Sequence, residues 1–263
     1  TDKILPINYH KGNRRLDDKA TDGEIAQMRS VVGSLAWIAR KVRPRISYEC
    51  SKMQSVVASA LVKHLDACNR VLQEAQCISD EGLFFKAGAF DFNDAILVTI
   101  SDASWAGETL IIDDKIFPRR SQHGYFIALG EPKLWHQDEG YLHILGWKSG
   151  ILRRTCRSTF RAESQGMILA TETTTRVRKA LADMACLIKR KDPDWEDHIR
   201  TTRRNVWFTD CQSLHDYLIN PVAQGTEDKR LEIDLEQLRE SLWFDVNGDP
   251  KDDLTVDQTD KPR

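Results

Sequence analysis

The chain has no uninterrupted run of eighteen apolar residues, about the least that a membrane-crossing helix needs, so no membrane span is expected. Its first residues, Thr1-Asp2-Lys3-Ile4, show no basic-then-apolar leader, and no secretory signal is read there. An initiator Met is also missing, which is expected of a fragment cut from something longer. The six cysteines (Cys50, Cys68, Cys77, Cys156, Cys186 and Cys211) include no CxxC pair. That scatter argues against a zinc site or a disulfide framework and fits reduced thiols, hence an intracellular location, with cytoplasmic particle and nucleus not distinguished. No internal repeat is found. With 41% hydrophobic and 30% charged residues, the 263-residue chain is not collagen-like, low-complexity or wholly disordered. Its length suits one large domain or two modest ones.

Net charge is only −2, but the charges are unevenly placed. Lys148 to Arg204 holds fourteen Lys or Arg against seven acids, and Gln224 to Arg263 holds twelve acids against six bases. A basic middle is compatible with a polyanionic partner, and equally with solvated helix faces.

Periodicity divides the chain into two textures. Residues 1–20 are polar and read as a linker. Ile25, Met28, Val32, Leu35 and Ile38 then recur at helical spacing up to a break at Pro44. A second helix is expected from Arg45 to about Val57, and a third carries Leu61, Leu65, Cys68, Val71, Leu72 and Ala75. His64 reads as a surface or edge histidine. Beyond Gly82 the pattern changes to short β-branched runs. Strands are predicted at Ala95–Ser101, Gly124–Leu129, Leu142–Trp147 and Asn205–Thr209, with helices at Thr159–Leu187, Gln212–Ile219 and Leu231–Trp243. Pro221 is expected to stop the second of these helices. The stretch 247–263 is polar, and no element is predicted there. The order β-β-β-α-β-α-α implies a mixed sheet, three antiparallel strands followed through a helix by a further parallel strand.

Three acids stand out on these elements. Asp102 and Asp210 are expected at the carboxyl ends of buried strands. Asp210 alone also fits a cap or turn, whereas no helical pattern follows Asp102. Glu163 falls on the inward stripe of the long helix, in register with Met167, Ala170, Thr174, Val177 and Leu181. A carboxylate there must be paired, hydrogen-bonded or metal-bound, unless its place near the helix start leaves it in solvent. If the helix crosses the sheet, the three side chains converge and repel one another until cations neutralise them. Oxygen ligands with no His or Cys nearby point to Mg²⁺ or Mn²⁺, and two such ions suit phosphodiester hydrolysis.

Several segments, taken in series, resemble copia-type retrotransposon polyproteins. Ser101-Asp102-Ala103-Ser104-Trp105-Ala106-Gly107-Glu108 is similar to their SDADWAGD, and Arg119-Arg120-Ser121-Gln122-His123-Gly124-Tyr125 to their RKSTSGY. Gly146-Trp147-Lys148-Ser149 resembles SWKS, Ser158-Thr159-Phe160-Arg161-Ala162-Glu163 resembles SSTEAE, and Thr209-Asp210-Cys211-Gln212-Ser213 resembles DNQSA. Arg230-Leu231-Glu232-Ile233-Asp234 stands where the family has KHIDI. Upstream, Val32-Gly33-Ser34-Leu35 through Arg43-Pro44-Arg45-Ile46-Ser47-Tyr48 is similar to the VGSLLYL…TRPDIAYA stretch at the end of their reverse transcriptase. The resemblance runs from Met28 to Trp243; Ser104 stands for a family Asp and Phe160 for a Thr.

The resemblance implies a ribonuclease H-like α/β domain at 91–246, C-terminally truncated, behind a helical thumb or connection segment at 21–90. It makes Asp102, Glu163 and Asp210 the catalytic, metal-binding carboxylates, holding two Mg²⁺ or Mn²⁺ ions. The family's fourth acid usually follows a fifth strand, in a region reading YVPT…QLADIFTK. No such segment precedes Lys261-Pro262-Arg263, which leaves Asp234 either as a substitute or as a structural residue of a leucine-rich helix. The implied substrate is an RNA–DNA hybrid, read by backbone, groove shape and 2′-hydroxyls. Lys148, Arg153, Arg154 and Arg157 are the candidate phosphate contacts, against a solvated basic loop. Trp105 and Trp147 either line the groove or pack beside strands. The implied partner is the upstream reverse transcriptase domain of the same polyprotein, whose aromatic-x-Asp-Asp hairpin is absent here. Ile112-Asp113-Asp114 imitates that hairpin and reads as a solvated turn. A retroviral-type integrase orders its acids Asp, Asp, Glu, unlike the Asp, Glu, Asp here. The alternative function is a catalytically inactive nucleic-acid-binding or polymerase-connection module; a decayed genomic copy would not be expected to keep all three acids.

Overall fold

The computed structural model describes residues 4–112, 115–136, 139–184, 204–220, 228–243 and 253–256. Three helices open the chain: α1 (Asp22–Lys41), α2 (Ser47–Val56) and α3 (Val62–Cys77). Pro44 heads a single 3₁₀ turn, Pro44–Ile46, that separates α1 from α2. The strands are β1 (Ile96–Ile112), β2 (Lys115–Gly130) and β3 (Leu142–Ile151). The long helix α4 (Thr159–Met184) follows, then β4 (Asn205–Thr209), α5 (Gln212–Ile219), α6 (Lys229–Trp243) and β5 (Asp253–Val256). None of the described helices is long and apolar enough to cross a membrane. Pro221 and the predicted end of the long helix at Leu187 lie outside the described residues.

The chain forms two compact units. One comprises Thr1–Leu83, Trp105–Gln122 and Lys148–Cys156, the other Phe84–Ser104, His123–Trp147 and Arg157–Arg263. In the first, the apolar stripes of α1, α2 and α3 meet in a core of Met28, Leu35, Ile46, Met53, Leu65 and Leu72. Helix α1 begins with a reciprocal capping box: the Thr21 hydroxyl accepts the Glu24 N–H at 3.3 Å, and Glu24 Oε2 accepts the Thr21 N–H at 2.8 Å. Arg14 adds Nη1 to Glu24 Oε1 at 2.6 Å. His64 is half-buried and accepts the Leu61 N–H through Nδ1 at 3.1 Å.

The segment read as a linker is tied down. Ile7 is 3% exposed and exchanges hydrogen bonds with Asn69, its N–H donating to Oδ1 at 2.8 Å and its carbonyl accepting from Nδ2 at 3.0 Å. The Ala20 N–H donates to the Ala60 carbonyl at 2.9 Å. One buried aliphatic side chain and a paired backbone outweigh the polar composition that suggested a free connection.

Sheet order is β3-β2-β1-β4-β5. Only two residues join neighbours β1 and β2, so these strands run antiparallel. Beyond α4 the chain returns as β4, parallel to β1, with Leu97 opposite Asn205 and Ile100 opposite Phe208. β1 and β2 are much longer than the apolar runs that announce them. The sequence expectation ended the first strand at Ser101, because hydrophobicity stops there, whereas the pairing continues through more polar residues to Ile112. The tail is corrected as well: Asp253–Val256 pairs in parallel with β4, Val206 opposite Asp253 and Thr209 opposite Val256. Four residues amid charged flanks gave no periodic signal; the strand exists because β4 offers an open ladder.

In the second unit, Leu97, Ile127, Met167, Trp207, Leu214, Leu235 and Leu238 form the core. A polar cluster is set into it. Thr99, Thr174 and Asn205 are all essentially inaccessible, with Thr99 Oγ1 2.9 Å from Thr174 Oγ1. The Asn205 amide nitrogen faces the Leu97 carbonyl at 3.1 Å and Thr99 Oγ1 at 3.2 Å, and its oxygen takes the Trp207 indole N–H at 2.6 Å. A one-residue slip of β4 would strand these groups without partners, so the cluster fixes the register of β1 against β4.

Candidate metal centre

That register sets the site. Just beyond the last pair, Ile100 and Phe208, the chain carries Asp102 and Asp210 to the same end of the β1–β4 pairing. Asp102 lies within β1 rather than at its end, a correction to the expected strand boundary. Asp210 directly follows β4. Helix α4 supplies the third acid. Ser158 starts the helix by accepting the Arg161 N–H on its hydroxyl at 3.2 Å, which places Glu163 just past the first turn. Gly166, one turn on, faces β1. A methyl group there would lie 3.6 Å from Ala103 Cβ and 3.7 Å from the Asp102 carbonyl, so helix and strand run close together at this point.

Asp102, Glu163 and Asp210 each offer a carboxylate oxygen, and these atoms lie within 4.8 Å of one another. The two aspartates are open to solvent; Glu163 is 4% exposed. Glu163 Oε1 accepts the Ala103 N–H at 3.2 Å, while the buried Oε2 has no hydrogen-bond partner. Burial, then Asp210, then Asp102 push the Glu163 carboxyl up to about 8, and the Ala103 N–H offsets this only in part. Asp102 is also raised, first by partial desolvation and then by Asp210. The inward stripe thus carries its acid into the interior rather than out to solvent.

The donor set fits a hard divalent cation. All three donors are carboxylate oxygens, they converge, and the buried Oε2 lacks the partner that burial normally demands.

Asp234 stands apart from this group. On α6 it accepts a hydrogen bond from Gln165 Nε2 at 2.8 Å, which ties α6 to α4. Lys148, Arg153, Arg154 and Arg157 are all exposed; the first three belong to the first unit and Arg157 to the second. Trp147 is half-buried, and Trp105 is 48% exposed. Asp113 and Asp114 lie outside the described residues. Of the described cysteines, Cys50, Cys68, Cys77, Cys156 and Cys211 are all free; Cys186 lies outside them. Sequence reasoning passed over Ala103, Gln165 and Gly166. Only Gly166 left a signal, as an isolated glycine inside a helical pattern.

No protein-family model matches the chain, and no curated protein matches it in sequence. Among solved structures it is similar to RNase H1 from the archaeon Halobacterium salinarum NRC-1, at 14% identity and a TM-score of 0.34, covering 62% of this chain and 86% of that one. It is similar also to an N-terminal RNase H domain from Mycobacterium tuberculosis, at 8% identity and a TM-score of 0.36, covering 63% and 84%. A foamy viral protease-reverse transcriptase in complex with double-stranded DNA aligns over 95% of this chain and 34% of its own length, at 11% identity and a TM-score of 0.42. By its own sheet order and its parallel β1–β4 pair flanking α4, the chain has an α/β, ribonuclease H-like fold.

Proposed function

We propose that this chain is a metal-dependent endonuclease that hydrolyses the RNA strand of RNA–DNA hybrids, and that it comes from a copia-type retroelement polyprotein. The observation that carries this reading is the convergence of Asp102, Glu163 and Asp210, with a buried Glu163 oxygen lacking any partner. Such a donor set suits a divalent cation. A bound Mg²⁺ or Mn²⁺ pair would lower the pKa of water and neutralise the charge developing on a phosphodiester. The protein's share is positional. Asp102 and Asp210 hold two donors at one end of the β1–β4 ladder, and the Ala103 N–H orients Glu163 from the third side. Without cations the site resists full ionisation, since its buried member is pushed up to about 8. The three exposed arginines and Lys148 supply charge for a phosphate backbone. The parent's reverse transcriptase domain is the implied partner, with 21–90 as its helical end.

The converging group holds three acids rather than four among the described residues, which favours the second reading, an inert nucleic-acid-binding or connection module. One assay separates the two. A labelled RNA–DNA hybrid is incubated with the chain in Mg²⁺ and in Mn²⁺, beside Glu163→Gln. Cleavage confined to the RNA strand and lost in the variant is expected; an intact hybrid in both metals would leave the inert module standing.

A further inference from the structure

We propose that, at Trp105 in the ribbon formed by Trp105–Gln122 and Lys148–Cys156, the contact with nucleic acid extends to an unpaired strand, which stacks a base on the indole. The inference concerns binding and does not require the carboxylates to be active.

Trp105 is 48% exposed, yet its indole N–H is already committed to the Cys156 carbonyl at 3.0 Å. The ring is therefore held in one orientation with its polar edge satisfied by protein and apolar surface left in water. A fixed aromatic face costs little further ordering when a base stacks on it. The ribbon around it is closely stitched. The Ala106 N–H donates to Ser121 Oγ at 3.3 Å, the Leu152 N–H to the Ser121 carbonyl at 2.8 Å, and Arg120 Nη1 to the Arg153 carbonyl at 2.6 Å. Trp105, Arg120 and Arg153 are therefore drawn to one place.

The backbone is distorted here too. Ala106 (φ 57°) and Arg119 (φ 56°) are the non-glycine residues with positive φ among the described residues. Each adjoins a residue of the patch, Trp105 and Arg120, and both lie where the two strands are bonded through Ser121. Left-handed backbone at residues carrying a Cβ is uncommon and turns the chain locally away from regular strand geometry. Charge matches the partner. The ribbon's sequence carries six bases, Lys115, Arg119, Arg120, Lys148, Arg153 and Arg154, against three acids, Glu108, Asp113 and Asp114, and Glu108 Oε1 accepts the Tyr48 hydroxyl at 2.7 Å. An open indole, with Arg120 held to Arg153 in the same ribbon, fits the phosphates and exposed base of a single strand better than a duplex, whose bases are stacked away.

The test is fluorescence anisotropy in EDTA, so that nothing is cleaved, with two probes: a blunt RNA–DNA hybrid and the same hybrid with a single-stranded overhang. The wild-type chain is expected to prefer the overhang, and Trp105→Ala to lose about tenfold in affinity for it while binding the blunt hybrid as before. Trp105→Phe, which keeps a stacking ring and guards against misfolding as the cause, is expected to retain most of the preference. Arg153→Ala should lower the salt slope of overhang binding by roughly one. Equal affinity of wild type for the two probes, no loss in Trp105→Ala, or competition by polyglutamate as effective as by single-stranded DNA each overturns the proposal. Loss of RNA cleavage in Mg²⁺, read separately on the blunt hybrid, would count against the nuclease and leave this contact untouched.

Discussion

Two glutamates, one in each unit, are both nearly inaccessible, Glu24 at 7% exposure and Glu163 at 4%, and they shift in opposite directions. Glu24 meets Arg14 and the Thr21 cap, and these hold its carboxyl down at about 2. Glu163 meets one backbone N–H and two further acids, and its carboxyl rises to about 8. Both side chains are largely covered, but Glu163 is set deeper, so desolvation leads its shift, whereas the counter-charge of Arg14 leads that of Glu24. A buried acid that the fold neutralises is part of the scaffold. One that the fold leaves short of positive charge, in the company of two others, is a site awaiting something from solution.

The sharpest way to break the comparison is to remove the charge of Glu163 in one unit and the counter-charge of Glu24 in the other. Glu163→Gln should abolish hybrid cleavage, by a thousandfold or more given that metal-held carboxylates contribute on the order of several kcal/mol to the transition state. Its folded content by circular dichroism should be unchanged. Arg14→Ala should do the reverse, leaving cleavage within about twofold while moving the urea denaturation midpoint to lower concentration. Similar stability losses from both changes would erase the distinction.

Asp234, which accepts from Gln165 Nε2 at 2.8 Å, gives a further contrast. Asp234→Asn, which keeps an oxygen for Gln165, should change steady-state cleavage in Mg²⁺ by less than about threefold, and a larger loss would give Asp234 a part in the site.

Acidity sharpens the same contrast. Glu163, at about 8 in the fold against an ordinary 4.5, keeps a proton that the unfolded chain releases. Its favourable contribution to the metal-free protein is complete below pH 4.5 and is lost as pH rises to 8. Glu24, at about 2 against 4.5, behaves conversely: its contribution is complete above pH 4.5 and is lost as pH falls toward 2. Melting curves in chelator should therefore show Glu163→Gln gaining on wild type between pH 5 and 8, with Mg²⁺ closing the gap from the wild-type side. The smallest effect is expected at Gly166→Ala. The new methyl meets only ordinary contacts, and helix propensity should add up to about 1 kcal/mol of stability.

How much of this was legible follows from which force shapes each part. β4 and α5 have the bounds that sequence alone assigns, because apolar runs and helical spacing are the signals of buried elements. The stripe through Glu163 was legible for the same reason. The outer halves of β1 and β2 were not, since their pairing is carried by backbone bonds under polar side chains such as Ser104, Glu108 and Arg119. β5 left no pattern for the same cause. Within the site, residue identities showed which acids to suspect. The Ala103 N–H, a backbone donor on a residue without a functional side chain, is invisible in a sequence.

β5 also limits where this chain tolerates a cut. By pairing with β4 it turns what would be the last strand into an inner one, so the amides and carbonyls on that flank are spoken for. A protease that cut between Trp243 and Asp253 would release that short strand and leave a bare ladder, free to recruit the same edge of another copy. A fragment ending before Asp253 is therefore expected to aggregate more readily than the full chain, a difference that light scattering reads directly.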